Sequence, residues 1–270
     1  MNEIVVHQID IQRALLQLGV INGDIVLVHS SLHSFGYVEG GPKTVIDAFE
    51  AVLGKEGTLV MPTLCQVDFG NSYKTWYMDK PSDVGYLTEF FRKQVYVYRS
   101  NHPTHSVAAR GKLAYELTHE HTAYGPHICP FGDGTFADSS PWAKMYERNA
   151  KIVFIGISLR FNTMKHLVEG RWMENLLGSV PDENEREALK ARLLAFGKGG
   201  LWPHYNGDLM QQELETRGLV SKAKCGNALL LCVNARDTMD AWYDILSHEP
   251  ERYISGEMLE WIRACECAAR

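Results

Sequence analysis

No apolar run in this 270-residue chain reaches the ~20 residues that a membrane-spanning helix needs. The N-terminus also lacks a charged segment followed by an apolar core, the pattern of a secretory signal. The expectation is a cytoplasmic protein with no membrane partner. Positive charge is short as well: 27 Lys and Arg stand against 33 Asp and Glu, a formal net charge of −6. That excludes a broad basic surface for nucleic acid. Cysteine is scarce and scattered. Cys65, Cys129, Cys225, Cys232, Cys265 and Cys267 form neither a disulfide framework nor a Cys-x-x-Cys zinc site. The loops G-x-x-x-x-G-K-[ST] and G-x-G-x-x-G are missing, which removes the usual nucleoside-triphosphate and dinucleotide cradles. Internal repeats, low-complexity stretches and linkers are absent too, so a single domain over residues 1–270 is expected.

What is present reads as an α/β chain. Asp10 can cap a helix with the stripe Ile11, Ala14, Leu15 and Leu18, closed by Gly19. Asn22-Gly23-Asp24 turns into a strand at 25–28. Pro42 opens a second helix, whose stripe is Val45, Ile46, Phe49, Val52 and Leu53 and whose end is Gly54. A strand at 58–61 stops at Pro62. Two βα steps argue for helices packed on a sheet. Further on the pattern predicts a loop over 65–84, a helix over 86–94, strands over 95–98 and 106–109, and a helix over 112–121. A second long loop covers 122–142, and loops of that length are usually functional. A buried strand at 151–157 leads to a helix capped by Thr163 and running to about Leu177. Residues 181–200 form an amphipathic helix around Leu189, Leu193, Leu194 and Phe196, read as an insertion or lid. A strand at 227–233 and a helix capped by Asp237 follow.

Three histidine-bearing segments lie where predicted strands stop, and ligands of open α/β sheets sit beyond such carboxyl ends. The first is His29-Ser30-Ser31-Leu32-His33. Its hydroxyls, with Gly36, Gly40, Gly41 and the helix start at Pro42, suit either an anion site or a serine-capped turn. The second is Arg99-Ser100-Asn101-His102-Pro103-Thr104-His105-Ser106. It could contact phosphate, pair on a metal, or bond its imidazoles to backbone. The lack of an acidic neighbour makes metal the weaker choice. The third is Thr163-x-x-His166-x-x-Glu169, whose spacing puts all three on one side of a helix. A histidine oriented by a carboxylate suits a general base, and an ordinary polar helix face has the same spacing.

In their order and spacing these segments resemble the aminoglycoside 3-N-acetyltransferase family. The matching pieces include Val28-His29-Ser30-Ser31-Leu32 with Gly36, Gly57-Thr58-Leu59-Val60-Met61-Pro62-Thr63, and Arg99-Ser100-x-His102-Pro103-x-His105-Ser106-Val107. They continue with Pro130-Phe131-Gly132, Ser140-Pro141-Trp142-Ala143-Lys144, Asn162-Thr163-x-x-His166-x-x-Glu169 and Gly226-Asn227-Ala228. The resemblance implies an α/β fold with a mixed central sheet flanked by helices, distinct from the Gcn5-related acetyltransferases. It implies acetyl-CoA as co-substrate and no metal. It places the cofactor against Ser30, Ser31, Leu32 and Gly36 and against Arg99, His102, Ser106 and Val107. His166 becomes the reactive base, with Glu169, His29 and Thr163 around it. The acceptor is a small-molecule primary amine, in this family the 3-amino group of an aminoglycoside's 2-deoxystreptamine ring. No cysteine occupies a motif position, so direct transfer is expected. The chain departs from the family in having Arg160 where an aspartate is usual, and a shorter segment before Arg99. Both lie near the expected acceptor side, with Glu169, Glu174 or Asp208 as acids that would compensate for Arg160. Other amine acceptors, a metal-dependent hydrolase using His29, His102, His105 and Glu169, and a non-catalytic CoA-binding protein are competing readings. A homodimer is left open.

Overall fold

The computed structural model describes residues 4–67, 71–121, 134–195, 207–254 and 256–270. Nine strands are β1 (Val5–Val6), β2 (Ile25–Ser30), β3 (Tyr37–Val38), β4 (Thr58–Pro62), β5 (Tyr98–Arg99), β6 (Val107–Gly111), β7 (Lys151–Ile155), β8 (Ser221–Cys225) and β9 (Ala228–Asn234) among the described residues. Strands β1 and β3 form a small parallel ribbon, and the other seven form one sheet in the order β5-β6-β4-β2-β7-β9-β8. Strand β2 lies parallel to β4 on one side and to β7 on the other. Antiparallel strands extend both flanks, β6 and β5 beyond β4, β9 and β8 beyond β7. The sheet is therefore mixed, as expected.

Both faces of the central strands are covered. Ile25 and Leu27 pack with Ile152 and Phe154 on one face, while Val26 and Val28 pack with Val153 and Ile155 on the other. The alternation follows from the two-residue period of a strand. The helices Gln8–Gln17 and Pro42–Leu53 cover the second face. Pro141–Glu147, Lys165–Gly178, Ala235–His248 and Gly256–Ala268 cover the first. On that face Trp142, Trp242 and Trp261 are fully buried. Rings of that size contribute about 4–6 kcal/mol each by area removed from water, before ordering costs. The same alternation turns His29 toward the first face. It sits opposite Phe154 in register and stacks on that ring at 5.3 Å. His29 and the helix Lys165–Gly178 thus share one side of the sheet.

Several local expectations change. The helix Gln8–Gln17 is capped by His7, and Asp10 accepts the His7 backbone N–H from inside the first turn. Residues 95 and 96 are not strand: Val95 and Tyr96 are 72% and 86% exposed, and Tyr96 has φ of +61°. Only Tyr98 and Arg99 reach β6. Thr163 is not the cap of the next helix. Met164 stands there, and the Asn162 side chain accepts the Met164 N–H. Asn234, not Asp237, caps Ala235–His248, with Asp237 accepting from the Asn234 amide. The loop over 65–84 contains a helical turn, Ser72–Thr75. The helix expected over 112–121 shortens to Ala114–Thr118. Most of the loop over 122–142 lies outside the described residues, as does Phe196. The helix Glu183–Ala195 buries Leu189 and Leu193 in the main core, and Leu189 O accepts from Trp261 Nε1 at 2.9 Å. Among the described residues no helix is long and apolar enough to cross a membrane.

Candidate active site

The three parallel strands end together. Ser30 closes β2, Pro62 closes β4 and Ile157 follows β7, and all three line a cleft of about 340 Å³. The helix before β4, Pro42–Leu53, and the helix before β7, Pro141–Glu147, pack on opposite faces of the sheet, so β2 stands at the switch point where an α/β sheet opens a crevice at its carboxyl edge. His29, His105, Arg160, Asn162, Thr163, Lys165 and His166 also line this cleft. Residues from all three histidine segments therefore meet in one place.

His166 and Glu169 form a hydrogen-bonded pair at its wall. Three residues apart on one helix, they bring His166 Nδ1 to 2.6 Å from Glu169 Oε2. Glu169 is fully buried, whereas the His166 side chain keeps 20% exposure. A carboxylate only accepts, so Nδ1 carries the proton and Nε2 is the basic nitrogen. Thr163 lies beside the pair, 7% exposed.

His29 is 6% exposed, and its Nε2 has no hydrogen-bond partner among the described residues. Burial, with the nearby Lys165 charge second, pushes its pKa down to about 3. The ring is neutral at physiological pH. A buried polar atom without a partner at the edge of a cleft suits a ligand's hydrogen bond.

The second histidine segment divides. His105 faces the cleft, and the Trp142 indole N–H holds its carbonyl at 3.1 Å. His102 lies deeper. Its Nδ1 accepts the backbone N–H groups of Thr104 (3.2 Å) and His105 (3.1 Å). Its proton is therefore on Nε2, 3.1 Å from Thr135 Oγ1. His121 stacks on it at 4.7 Å, anchored by Ser100 Oγ and Thr135 O. Burial is the main cause that keeps His105 and His121 well below the usual imidazole range. Arg99 is a strut. It bonds Thr63 Oγ1 (3.2 Å), Ser106 Oγ (3.1 Å), Met78 O (2.8 Å) and Thr63 O (2.9 Å), and stacks on Trp76. Ser106 donates to Thr63 O, and Val107 is buried in the sheet. Of the eight residues expected to meet the cofactor, Ser30 lines the cleft. Ser31 and Leu32 are half-buried just beyond it. Gly36 is held by packing, since a Cβ there would lie 2.9 Å from Asn227 Nδ2. Arg99, His102, Ser106 and Val107 are turned inward. Gly40, Gly41 and Pro42 do not line the cleft.

On the other wall, Arg160 and Lys165 face the cleft, and Lys165 Nζ donates to Arg160 O at 3.0 Å. Glu174 does not join them. It is five residues beyond Glu169, so the helix turns it into a second cleft of about 350 Å³ with Arg171, Asp240 and Tyr243. Sequence reasoning did not place Lys165, Asn162 or His105 against the cofactor or acceptor, although Asn162 and His105 belong to the matching motifs and Lys165 precedes His166. It also missed His121, for which sequence carries no signal. Among the described residues no group of three or more His, Cys, Asp or Glu could hold a metal ion.

Residues 27–247 match the family model for aminoglycoside 3-N-acetyltransferase. The chain belongs to that family. Aminoglycoside N(3)-acetyltransferase IV from a Salmonella species is 28% identical over 87% of this chain and 85% of its own length. The prophage-derived aminoglycoside N(3')-acetyltransferase-like protein YokD of Bacillus subtilis is 34% identical, over 58% of this chain and 62% of that protein. The chain thus spans about three fifths of the length of that aminoglycoside acetyltransferase relative. The fold is that of solved family structures. The apoenzyme of aminoglycoside acetyltransferase AAC(3)-IVa superposes with a TM-score of 0.70 at 23% identity, over 99% of this chain and all of the other. AAC-IIIb, solved as a binary complex with CoASH, gives 0.70 at 19% identity over 94% of this chain.

Proposed function

We propose that this protein is an acetyl-CoA-dependent N-acetyltransferase that moves the acetyl group directly to a primary amine, with His166 as general base. The observation that carries this reading is the His166–Glu169 contact of 2.6 Å at the carboxyl edge of the sheet, in a chain of this family. CoASH in the AAC-IIIb structure supports acetyl-CoA as the donor. Apramycin in a complex of AAC(3)-IVa supports an amine acceptor. The aminoglycoside 3-amino group is the acceptor that relatives' names suggest first.

The thioester is already activated, so the protein has to align two substrates and remove a proton. The acceptor ammonium gives a proton to His166 Nε2, and Glu169 steadies the imidazolium. The amine lone pair attacks the thioester carbon, an N–C bond forms, the C–S bond breaks, and the imidazolium returns the proton to the CoA sulfur; the second proton on the attacking nitrogen then leaves through His166 Nε2 to solvent, so the net reaction gives the amide, CoASH and one released proton. Negative charge on the thioester oxygen needs a donor during this step. The Ser31 N–H is engaged, bonding Ile155 O at 2.9 Å. The Thr163 hydroxyl beside His166 takes that role, and neutral His29 orients the amine. Ser30, Ser31 and Leu32 hold the donor.

CoA binding tests the donor half. A ligand that binds only the folded state raises its melting temperature. CoA should raise Tm, and Ser31→Glu, which adds bulk and negative charge beside Ser30, should remove that rise. An unchanged rise in Ser31→Glu moves the cofactor away from this segment.

A further inference from the structure

We infer that the cleft takes an amine that also carries an anionic oxygen group, held by the turn over residues 160–165. The inference rests on the acetyltransferase reading and names its acceptor class.

Three donors lie on this one turn. Arg160 is exposed, and among the described residues its guanidinium makes no ion pair; it lies over the Phe161 ring at 5.4 Å. Lys165 is tied across the turn to Arg160 O, which keeps its ammonium on the same wall. Asn162 is fully buried with its Oδ1 accepting the Met164 N–H, and its Nδ2 has no hydrogen-bond partner among the described residues. A buried donor left without an acceptor is uncommon, and such groups usually meet a ligand or water.

Among the described residues the cleft lining holds no Asp or Glu. Glu169 stands behind His166 with an oxygen engaged there. Burial lowers the Lys165 pKa, and Glu169 opposes that shift. Two cations on one wall repel a polycation, and they attract a phosphate or carboxylate. They also assist the reaction. A nearby positive charge lowers the pKa of the acceptor ammonium, so His166 takes its proton more readily.

The test keeps the amine and varies the rest of the acceptor. Thiol release from saturating acetyl-CoA is followed with glucosamine and glucosamine 6-phosphate, with 3-aminopropanol and β-alanine, and with neamine as the polycation. The anionic member of a pair should exceed its neutral partner in kcat/KM by roughly tenfold or more, chiefly through KM, and neamine should fall below both. The pair that responds identifies phosphate or carboxylate. Arg160→Asp should erase the preference and leave KM for acetyl-CoA unchanged, while Arg160→Lys keeps most of it. Arg160 is exposed, so both variants should fold. Neamine as the best acceptor, no gain from the anion, or an unchanged ratio in Arg160→Asp each overturns the inference. If no amine is acetylated, the acetyltransferase reading fails. Calorimetric titration of glucosamine 6-phosphate and β-alanine into the CoA-loaded protein then decides anion binding separately. Binding lost in Arg160→Asp supports it, and no binding of either overturns it.

Discussion

Glu169 has no exposed surface and holds His166 in one tautomer through a 2.6 Å contact. Replacing it by Gln keeps the shape and an accepting oxygen but removes the charge that steadies the imidazolium. Glu169→Gln should lower kcat by roughly tenfold or more, part of the 10²–10⁴ that general-base catalysis supplies. KM for acetyl-CoA should stay put, and an unchanged kcat would deny Glu169 this role. Buried imidazoles also set a pH dependence. His29, His105 and His121 all have folded pKa values below the ordinary 6.5. Unfolding exposes them, and below about pH 6.5 the unfolded chain binds protons that the folded one refuses. Their stability contribution is therefore full above pH 6.5 and is lost as pH falls. Each group removes about 1.4 kcal/mol per pH unit once the unfolded form is protonated, up to ~4 kcal/mol per unit for all three. Denaturant midpoints should drop from pH 7 to pH 5.5, and a flat profile would contradict neutral burial of these rings.

At the scale of elements, the legible strands are the ones covered on both faces. β2 and β7 are nearly continuous apolar runs, as central parallel strands should be. β8 escaped notice because its edge position leaves Lys222 and Lys224 exposed. The strand read at 95–98 had the right residue types without a neighbour to pair with, and β propensity needs such a neighbour. Helix ends misled in the same way. Asp10, Thr163 and Asp237 each fit a capping position, but the first turn began elsewhere and only local backbone geometry decides that. Gly156, just after β7, shows how tightly one turn can be fixed. Its φ is +64°, and a Cβ would lie 1.9 Å from Ser34 Oγ. Gly156→Ala should cost about 2 kcal/mol or more through strain and overlap. Adding Ser34→Gly should recover only the overlap part. A urea midpoint within error of the parent would mean that the 156–158 turn is more yielding than its geometry implies.

In the molecule as a whole, the sheet decides which side chains can meet. Alternation puts His29 on the Phe154 face, and the helix after β7 crosses that face with His166. Sequence revealed the three segments at strand ends because ligands gather there in α/β sheets. It did not reveal that Arg99, His102 and Ser106 turn inward, or that Glu174 faces another cleft, because those depend on how loops return and helices rotate. The central claim is that His166 is the base in acetyl transfer. Steady-state thiol release from acetyl-CoA, with an amine that the parent protein turns over, tests it most directly. His166→Ala should lower kcat by roughly 10²-fold or more while the CoA-induced rise in Tm persists. Turnover near the parent value in that variant, with CoA still bound, would contradict it.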